Sequence, residues 1–321
     1  MAHAERHLLI AYDGSPTAVR AAASLFRGAR ASVATVPSAS TAHSGSAVPL
    51  LHGIAPAFDP EVFEALDAAA RRQADETAGE AVEQARTHGL DAEPVTIPPS
   101  VPGWAALLDA AHELGAELLI CGTRGCAAFV RAVLGSTSSS LLHNTDVPPL
   151  VVPDGGGALD GPVVVAYDGS DGARRAIEAV GRLLGGRATV VVRAWEPPFR
   201  RGLITLALAA GRIDDVGEVV VQLHAALAQC AAATTENGVA VAEAAGLEAV
   251  GDTFESDDGP WRGVAAAARA PGASVIAMGM RGLGAARSVL LGSVSAGLVQ
   301  NAELPVLVAP GEPPPARTGD R

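Results

Sequence analysis

Residues 119–136 read LICGTRGCAAFVRAVLGS, and residues 276–293 read IAMGMRGLGAARSVLLGS. Both stretches hold Gly-x2-Gly-x9-Gly-Ser. The first copy supplies Gly122, Gly125, Gly135 and Ser136, and the second supplies Gly279, Gly282, Gly292 and Ser293, 157 residues further on throughout. A glycine lets backbone N–H groups come close to a ligand where a Cβ would hold it off. A Gly-Ser step that opens a helix turns the unpaired N–H groups and the positive end of the helix dipole toward an anion. The chemistry these types and spacings suit is therefore capture of a nucleotide phosphate. Hydroxyls at Ser136 and Thr137, and at Ser293 and Ser295 on either side of Val294, add donors. Tyr-Asp-Gly-Ser also repeats, at Tyr12–Ser15 and Tyr167–Ser170. Asp13 and Asp168 are candidates to bind ribose or adenine, or to hold a metal, Mg with ATP, beside the phosphates. One match among 36 glycines carries little weight, whereas a second in register on an equivalent strand–loop–helix carries much more. The alternative is purely structural: a tight turn after a strand and a capped helix.

These loops need strands and helices to hold them. In the first half, apolar runs at His7–Tyr12, Ala31–Val36, Pro94–Ile97, Glu117–Cys121 and Pro149–Val152 read as strands. Helical spacing marks a helix opened by Ser15-Pro16 and others over Asp59–His88, Trp104–Leu114 and Ser136–His143. The second half matches, with strands at Pro162–Tyr167, Thr189–Ala194, Leu247–Val250, Ser274–Met278 and Leu304–Val308. Its helices fall at Asp171–Leu184, Asp214–Glu236 and Trp261–Ala270. Alternating strands and helices predict an α/β fold, two tandem doubly wound domains with parallel sheets covered on both faces. The domains span 1–153 and 162–310, joined by a linker at 154–161 that is flexible by composition and followed by a disordered tail at 311–321. Ligands of such sheets bind outside the carboxyl ends of the strands, where strand order reverses. If strands one and four flank that point, the Asp turn and the glycine loop face each other across one crevice.

Composition narrows the classes. The 321 residues carry a formal charge of −12, which disfavours nucleic acid and anionic membrane surfaces as partners. All 23 basic residues are arginine, which excludes a P-loop lysine and a Schiff-base lysine. Mean hydropathy is +0.27, yet no apolar run approaches the ~18 residues of a membrane span. With no signal-peptide pattern either, the expected location is the cytoplasm. Cys121, Cys126 and Cys230 have no metal-ligand spacing, and the second glycine motif carries Met278 and Leu283 where the first carries Cys121 and Cys126. They read as small buried hydrophobes in a reducing compartment. Trp104 and Trp261 occupy equivalent helix starts and read as packing residues.

Asp-Gly-Ser near the start, Gly-x2-Gly-x9-Gly-Ser and a Pro-led apolar terminal strand resemble the universal stress protein family. The likeness is to its tandem form and covers residues 6–153 and 161–310. The resemblance implies five-stranded parallel sheets of the adenine-nucleotide α-hydrolase-like kind. It also implies ATP or a related adenine nucleotide at Asp13, Gly122, Gly125, Gly135 and Ser136, and at Asp168, Gly279, Gly282, Gly292 and Ser293. The family places a residue at the end of strand two against adenine, here near Val36 and Ala194. It further implies that the two domains pair within the chain, with a homodimer as a further assembly, and that the protein is a regulatory binding module of the stress response. A slow ATPase or autophosphorylating protein, motivated by the Ser/Thr run at 136–140 and the two Asp residues, stays open. So does a structural protein with vestigial sites.

Overall fold

The computed structural model describes residues 6–12, 14–35, 60–97, 103–122, 145–155, 159–197, 216–282 and 292–311. The chain divides into two compact units after Gly156. The first contains β1 (His7–Tyr12), α1 (Thr17–Leu25), β2 (Arg30–Thr35), α2 (Pro60–Thr87), β3 (Asp91–Thr96), α3 (Gly103–Glu113), β4 (Leu118–Gly122) and β5 (Pro149–Val152). Its strands are all parallel, in the order β3-β2-β1-β4-β5. The second contains β6 (Val163–Ala166), α4 (Asp171–Leu184), β7 (Thr189–Trp195), α5 (Val216–Ala244), β8 (Ala249–Glu255), α6 (Pro260–Arg269), β9 (Val275–Gly279), α7 (Ser293–Asn301) and β10 (Val306–Ala309). Its parallel order is β8-β7-β6-β9-β10. In each unit the order reverses between the first and fourth strands, so the crevice anticipated for a ligand lies between β1 and β4, and between β6 and β9.

The central strands are unbroken apolar runs because helices cover both their faces. Leu8, Leu9 and Ile10 of β1, and Val163, Val164 and Val165 of β6, are fully buried. Helix α4 shows the local logic most clearly. Ser170 caps it by accepting a hydrogen bond from the Ala173 N–H at 3.2 Å. Asp171 lies in its first turn and Arg182 in its last, each on the favourable side of the dipole. Ala173, Ala176, Ile177, Val180, Leu183 and Leu184 form its buried stripe. Burying Ile177 or Leu183 stabilises the unit by roughly 2 kcal/mol each.

Several elements differ from the sequence expectation for identifiable reasons. Helix α1 begins at Thr17 with Pro16 in the capping position and no side-chain cap. The Ser15 hydroxyl turns to that of Thr17 instead, at 2.9 Å. Helix α5 runs to Ala244, past Asn237-Gly238, where a stop was expected. A Cβ on Gly238 would stand 2.7 Å from the Tyr167 ring and from Val191, so this glycine serves close packing of helix on strand. Termination comes at Gly246, with φ of +79°. Strand β8 reaches Glu255 rather than Val250 and is largely exposed. Edge strands bury too little to show apolar alternation, and Gly251 lies where a Cβ would stand 2.6 Å from Thr235. Strand β3 starts at Asp91, and its Pro94 is tolerated because β3 is an edge.

The expected linker is partly tied down. Arg187 Nη1 donates to the Leu159 carbonyl at 2.7 Å, and the Ser274 hydroxyl donates to that of Gly161 at 2.8 Å. Cys121 is buried and disulfide-bonded, against the expectation of a simple buried thiol, while Cys230 is exposed and free. The expected helix at 136–143 and the tail at 312–321 lie outside the described residues. Among the described residues no helix is long and apolar enough to cross a membrane.

Candidate functional site

The described residues of the second unit hold the larger part of the candidate site. Strand β6 ends at Ala166, and the chain turns through Tyr167-Asp168-Gly169-Ser170 into α4. Gly169 has φ of +85°, the left-handed region that glycine adopts without strain. Asp168 Oδ1 accepts from the Ser170 N–H at 3.0 Å, which fixes the carboxylate over the turn. Tyr167 is buried, and its hydroxyl donates to Asn237 Oδ1 at 2.8 Å. Burial pushes this phenol above its ordinary pKa; Arg174 opposes that shift and Asp168 adds to it.

Across the crevice the three repeated glycines have three different surroundings. A Cβ on Gly279 would stand 2.6 Å from the Gly172 carbonyl oxygen, and one on Gly172 would stand 2.5 Å from that of Arg281. This pair brings the first turn of α4 against the end of β9, so packing alone requires Gly279. A Cβ on Gly282 would collide with Asp168 Oδ2. The Asp turn and the glycine loop therefore meet, as the switch-point argument anticipated. Gly292 is unlike both. Its φ of −63° and ψ of 156° suit any residue, and among the described residues a Cβ there would meet nothing nearer than 3.7 Å. Its N–H donates to the Met280 carbonyl at 3.0 Å, which draws together the two ends of the loop.

Helix α7 starts at Ser293, with Gly292 as a cap that has no side-chain bond. Its first internal bond runs from the Ala296 N–H to the Gly292 carbonyl at 2.9 Å. The N–H groups of Ser293, Val294 and Ser295 precede that bond and have no acceptor within the helix. The Ser295 hydroxyl is buried and donates to the Gly279 carbonyl at 2.9 Å, so its proton is committed to the fold and only its N–H faces outward as a donor. Ser293 is exposed.

A cavity of about 620 Å³ lies at this crevice. Asp168, Ala194, Gly279, Gly282, Gly292, Ser293, Val294 and Ser295, all singled out from the sequence, line it together. So do residues the sequence reading passed over. Trp195 and Glu196 follow Ala194 at the end of β7, Leu227 comes from α5, and Pro260 and Val264 come from α6. They lie on three separate elements, and no spacing along the chain connects them. Arg281 lines the cavity too. Trp261 is a packing residue, since a Cβ on Gly297 would stand 2.5 Å from its ring.

In the first unit Gly14 has φ of +91° in the equivalent turn, and Gly122 ends β4. The position matching Gly172 is Thr17, and among the described residues a Cβ on Gly122 would meet nothing within 4 Å. Asp13, Val36, Gly125, Gly135, Ser136 and Thr137 lie outside the described residues. Among the described residues no group of three His, Cys, Asp or Glu side chains could hold a metal ion. Asp168 and Glu196 are the carboxylates among the residues lining the cavity, and carboxylate oxygens are of the kind Mg takes.

A doubly wound parallel sheet, present in both units, with a helix N-terminus and an Asp turn bordering one cavity at the switch point of the second, defines a class of tandem α/β proteins. The model of the universal stress protein family matches residues 5–153 and 161–310. The chain belongs to that family. A universal stress protein of Mycolicibacterium smegmatis is 30% identical over 254 residues, covering 73% of this chain and 77% of that one. A universal stress protein of Archaeoglobus fulgidus DSM 4304, solved as a crystal structure, has the same fold at 20% identity with a TM-score of 0.58, over 97% of this chain and 98% of that one. The A. fulgidus universal stress protein solved in complex with dAMP covers 47% of this chain and 98% of its own, at 21% identity and a TM-score of 0.31.

Proposed function

We propose that the second half of this chain binds an adenine nucleotide, ATP or a relative, and acts as a regulatory binding module. The observation that carries this reading is the opening of α7. Three N–H groups without helical acceptors, at Ser293, Val294 and Ser295, border the same cavity as Asp168, and among the described residues a Cβ on Gly292 beside them would meet nothing nearer than 3.7 Å. The phosphates lie at that helix N-terminus, where the dipole favours negative charge by about 0.3–1 kcal/mol, and by up to ~2 kcal/mol in partly buried geometry. The Asp168 carboxylate accepts from ribose hydroxyls, and the base lies toward Ala194. The volume of about 620 Å³ falls within the roughly 300–1,000 Å³ of ordinary small-molecule sites. Mg, where present, rides on the phosphates near Asp168, and none of the roles assigned here passes through it. Asp13, Val36, Gly122, Gly125, Gly135, Ser136 and Thr137 form the equivalent site of the first half.

Calorimetric titration of the full chain with ATP tests the reading, together with mass spectrometry of any ligand released on denaturation. Binding that Asp168→Ala weakens supports it. Absence of heat at millimolar ATP, and of bound nucleotide in the purified protein, overturns it.

A further inference from the structure

We propose that Trp195 determines the base preference of the second-half site, and that His224 and Glu255 are the residues that position its ring. The inference rests on the nucleotide reading above. Side chains alternate between the two faces of a strand. On β7, Val191 faces α5, because a Cβ on Gly238 of that helix would stand 2.7 Å from Val191 Cγ1. Trp195, four residues on, shares that face and meets His224 of α5. The two ring centroids are 5.1 Å apart with the planes at 61°, an edge-to-face contact. Ala194 faces the other way, toward α6, where a Cβ on Gly263 would stand 3.0 Å from its own Cβ.

The cavity therefore takes its lining from both sides of the sheet. Trp195 and Leu227 come from the α5 side, and Ala194, Pro260 and Val264 from the α6 side, while Asp168, Gly282 and the start of α7 line it as well. An aromatic side chain in the lining suits a planar heterocycle, and a purine overlaps an indole over more area than a pyrimidine does. His224 is held in its turn by Glu255, whose Oε2 lies 3.1 Å from His224 Nε2. Helix α5 and edge strand β8 thereby grip the ring edge from outside the cavity.

The sequence of the first half has no tryptophan at the corresponding position. The pairing of Tyr12 with Thr35, and the 2.9 Å bond from the Tyr167 N–H to the Val192 carbonyl, place the two strand ends in correspondence. Val36-Pro37 stand where the second half has Ala194-Trp195.

The test is calorimetry on the full chain carrying Asp13→Ala, so that only the second site reports. Base–aromatic stacking of about 1–3 kcal/mol converts, at 1.4 kcal/mol per tenfold, to a loss of roughly 5- to 150-fold in ATP affinity for Trp195→Ala. Trp195→Phe retains most of the affinity, and the preference for ATP over CTP shrinks in the alanine variant. For the positioning pair the readout is spectroscopic. In a chain with Trp104→Phe and Trp261→Phe, the fluorescence anisotropy of Trp195 drops on His224→Ala or Glu255→Ala, and Glu255→Gln restores it. Equal ATP affinity with and without the indole, in a chain whose circular dichroism is unchanged, overturns the inference and leaves the nucleotide reading standing. A chain that binds neither ATP nor CTP overturns both.

Discussion

Replacing Gly292 with alanine separates a glycine kept for the ligand from a glycine kept for the fold. The backbone at Gly292, φ −63° and ψ 156°, accepts an alanine without strain. The new methyl would lie 3.7 Å from Arg281 Cα, Gly282 N and the Met280 oxygen, which is ordinary contact. Two opposing effects remain on stability. Reducing the freedom of the unfolded chain contributes about 0.4–1 kcal/mol. Alanine is a poorer helix cap than glycine, by roughly 0.5–1 kcal/mol. They nearly cancel, and with ~2–4 °C per kcal/mol for a unit of this size, the melting temperature should move by no more than about 2 °C. Binding is a different matter. The methyl would sit beside the N–H groups of Ser293, Val294 and Ser295. A phosphate pushed off even one of them loses a charge-assisted hydrogen bond of about 1.5–3 kcal/mol, roughly 10- to 150-fold in affinity. Thermal unfolding and ATP calorimetry on the same preparation measure both quantities. A Gly292→Ala chain with unchanged melting that binds ATP as tightly as the parent refutes the assignment of phosphate to this helix.

Three further outcomes follow from the described contacts. Gly279→Ala forces a methyl into the Gly172 backbone, an overpacking cost of about 1–3 kcal/mol, so the second unit should melt earlier; unchanged melting would mean that α4 can retreat from β9 without penalty. A 2.6 Å hydrogen bond to His112 holds the Asp146 carboxyl below its ordinary pKa. A depressed carboxylate stabilises the fold above its unfolded pKa and loses that contribution as pH falls through the folded value. Acid titration of stability should therefore show a small term, up to about 1 kcal/mol for so exposed a pair, that His112→Ala removes. Finally, Cys121 is disulfide-bonded and Cys230 is free, so alkylation under denaturing conditions should label Cys230 before reduction and Cys121 only after it; Cys121 labelled before reduction would contradict the bond.

How much of this was legible in the sequence depended on what each residue answers to. The central strands were readable because burial on both faces forces continuous apolar runs, and α4 was readable because one face, one cap and both dipole ends agreed. The extent of strand β8 was not, since an exposed edge with Gly251 and Asp252 need not alternate. The end of α5 was misjudged because Gly238 resembles a stop signal and instead admits the Tyr167 ring. At the site, the loops were visible because they repeat. The lining from Trp195, Leu227, Pro260 and Val264 was invisible because it is assembled from three elements by the sheet's topology and leaves no spacing in the chain.

The repeated pattern is itself a composite. In the second half Gly279 answers to Gly172 and Gly282 answers to Asp168, while a Cβ on Gly292 would meet nothing nearer than 3.7 Å among the described residues. The first half removes the first of these demands, for Thr17 replaces Gly172, and among the described residues nothing lies within 4 Å of where a Cβ on Gly122 would stand. Among the described residues, packing therefore accounts for Gly279 and not for Gly122, although both occupy the same place in the motif. Ligands of such sheets approach the carboxyl ends of the strands, and on the proposed reading a nucleotide at the end of β4 is what Gly122 would face, as Gly292 would face the phosphates.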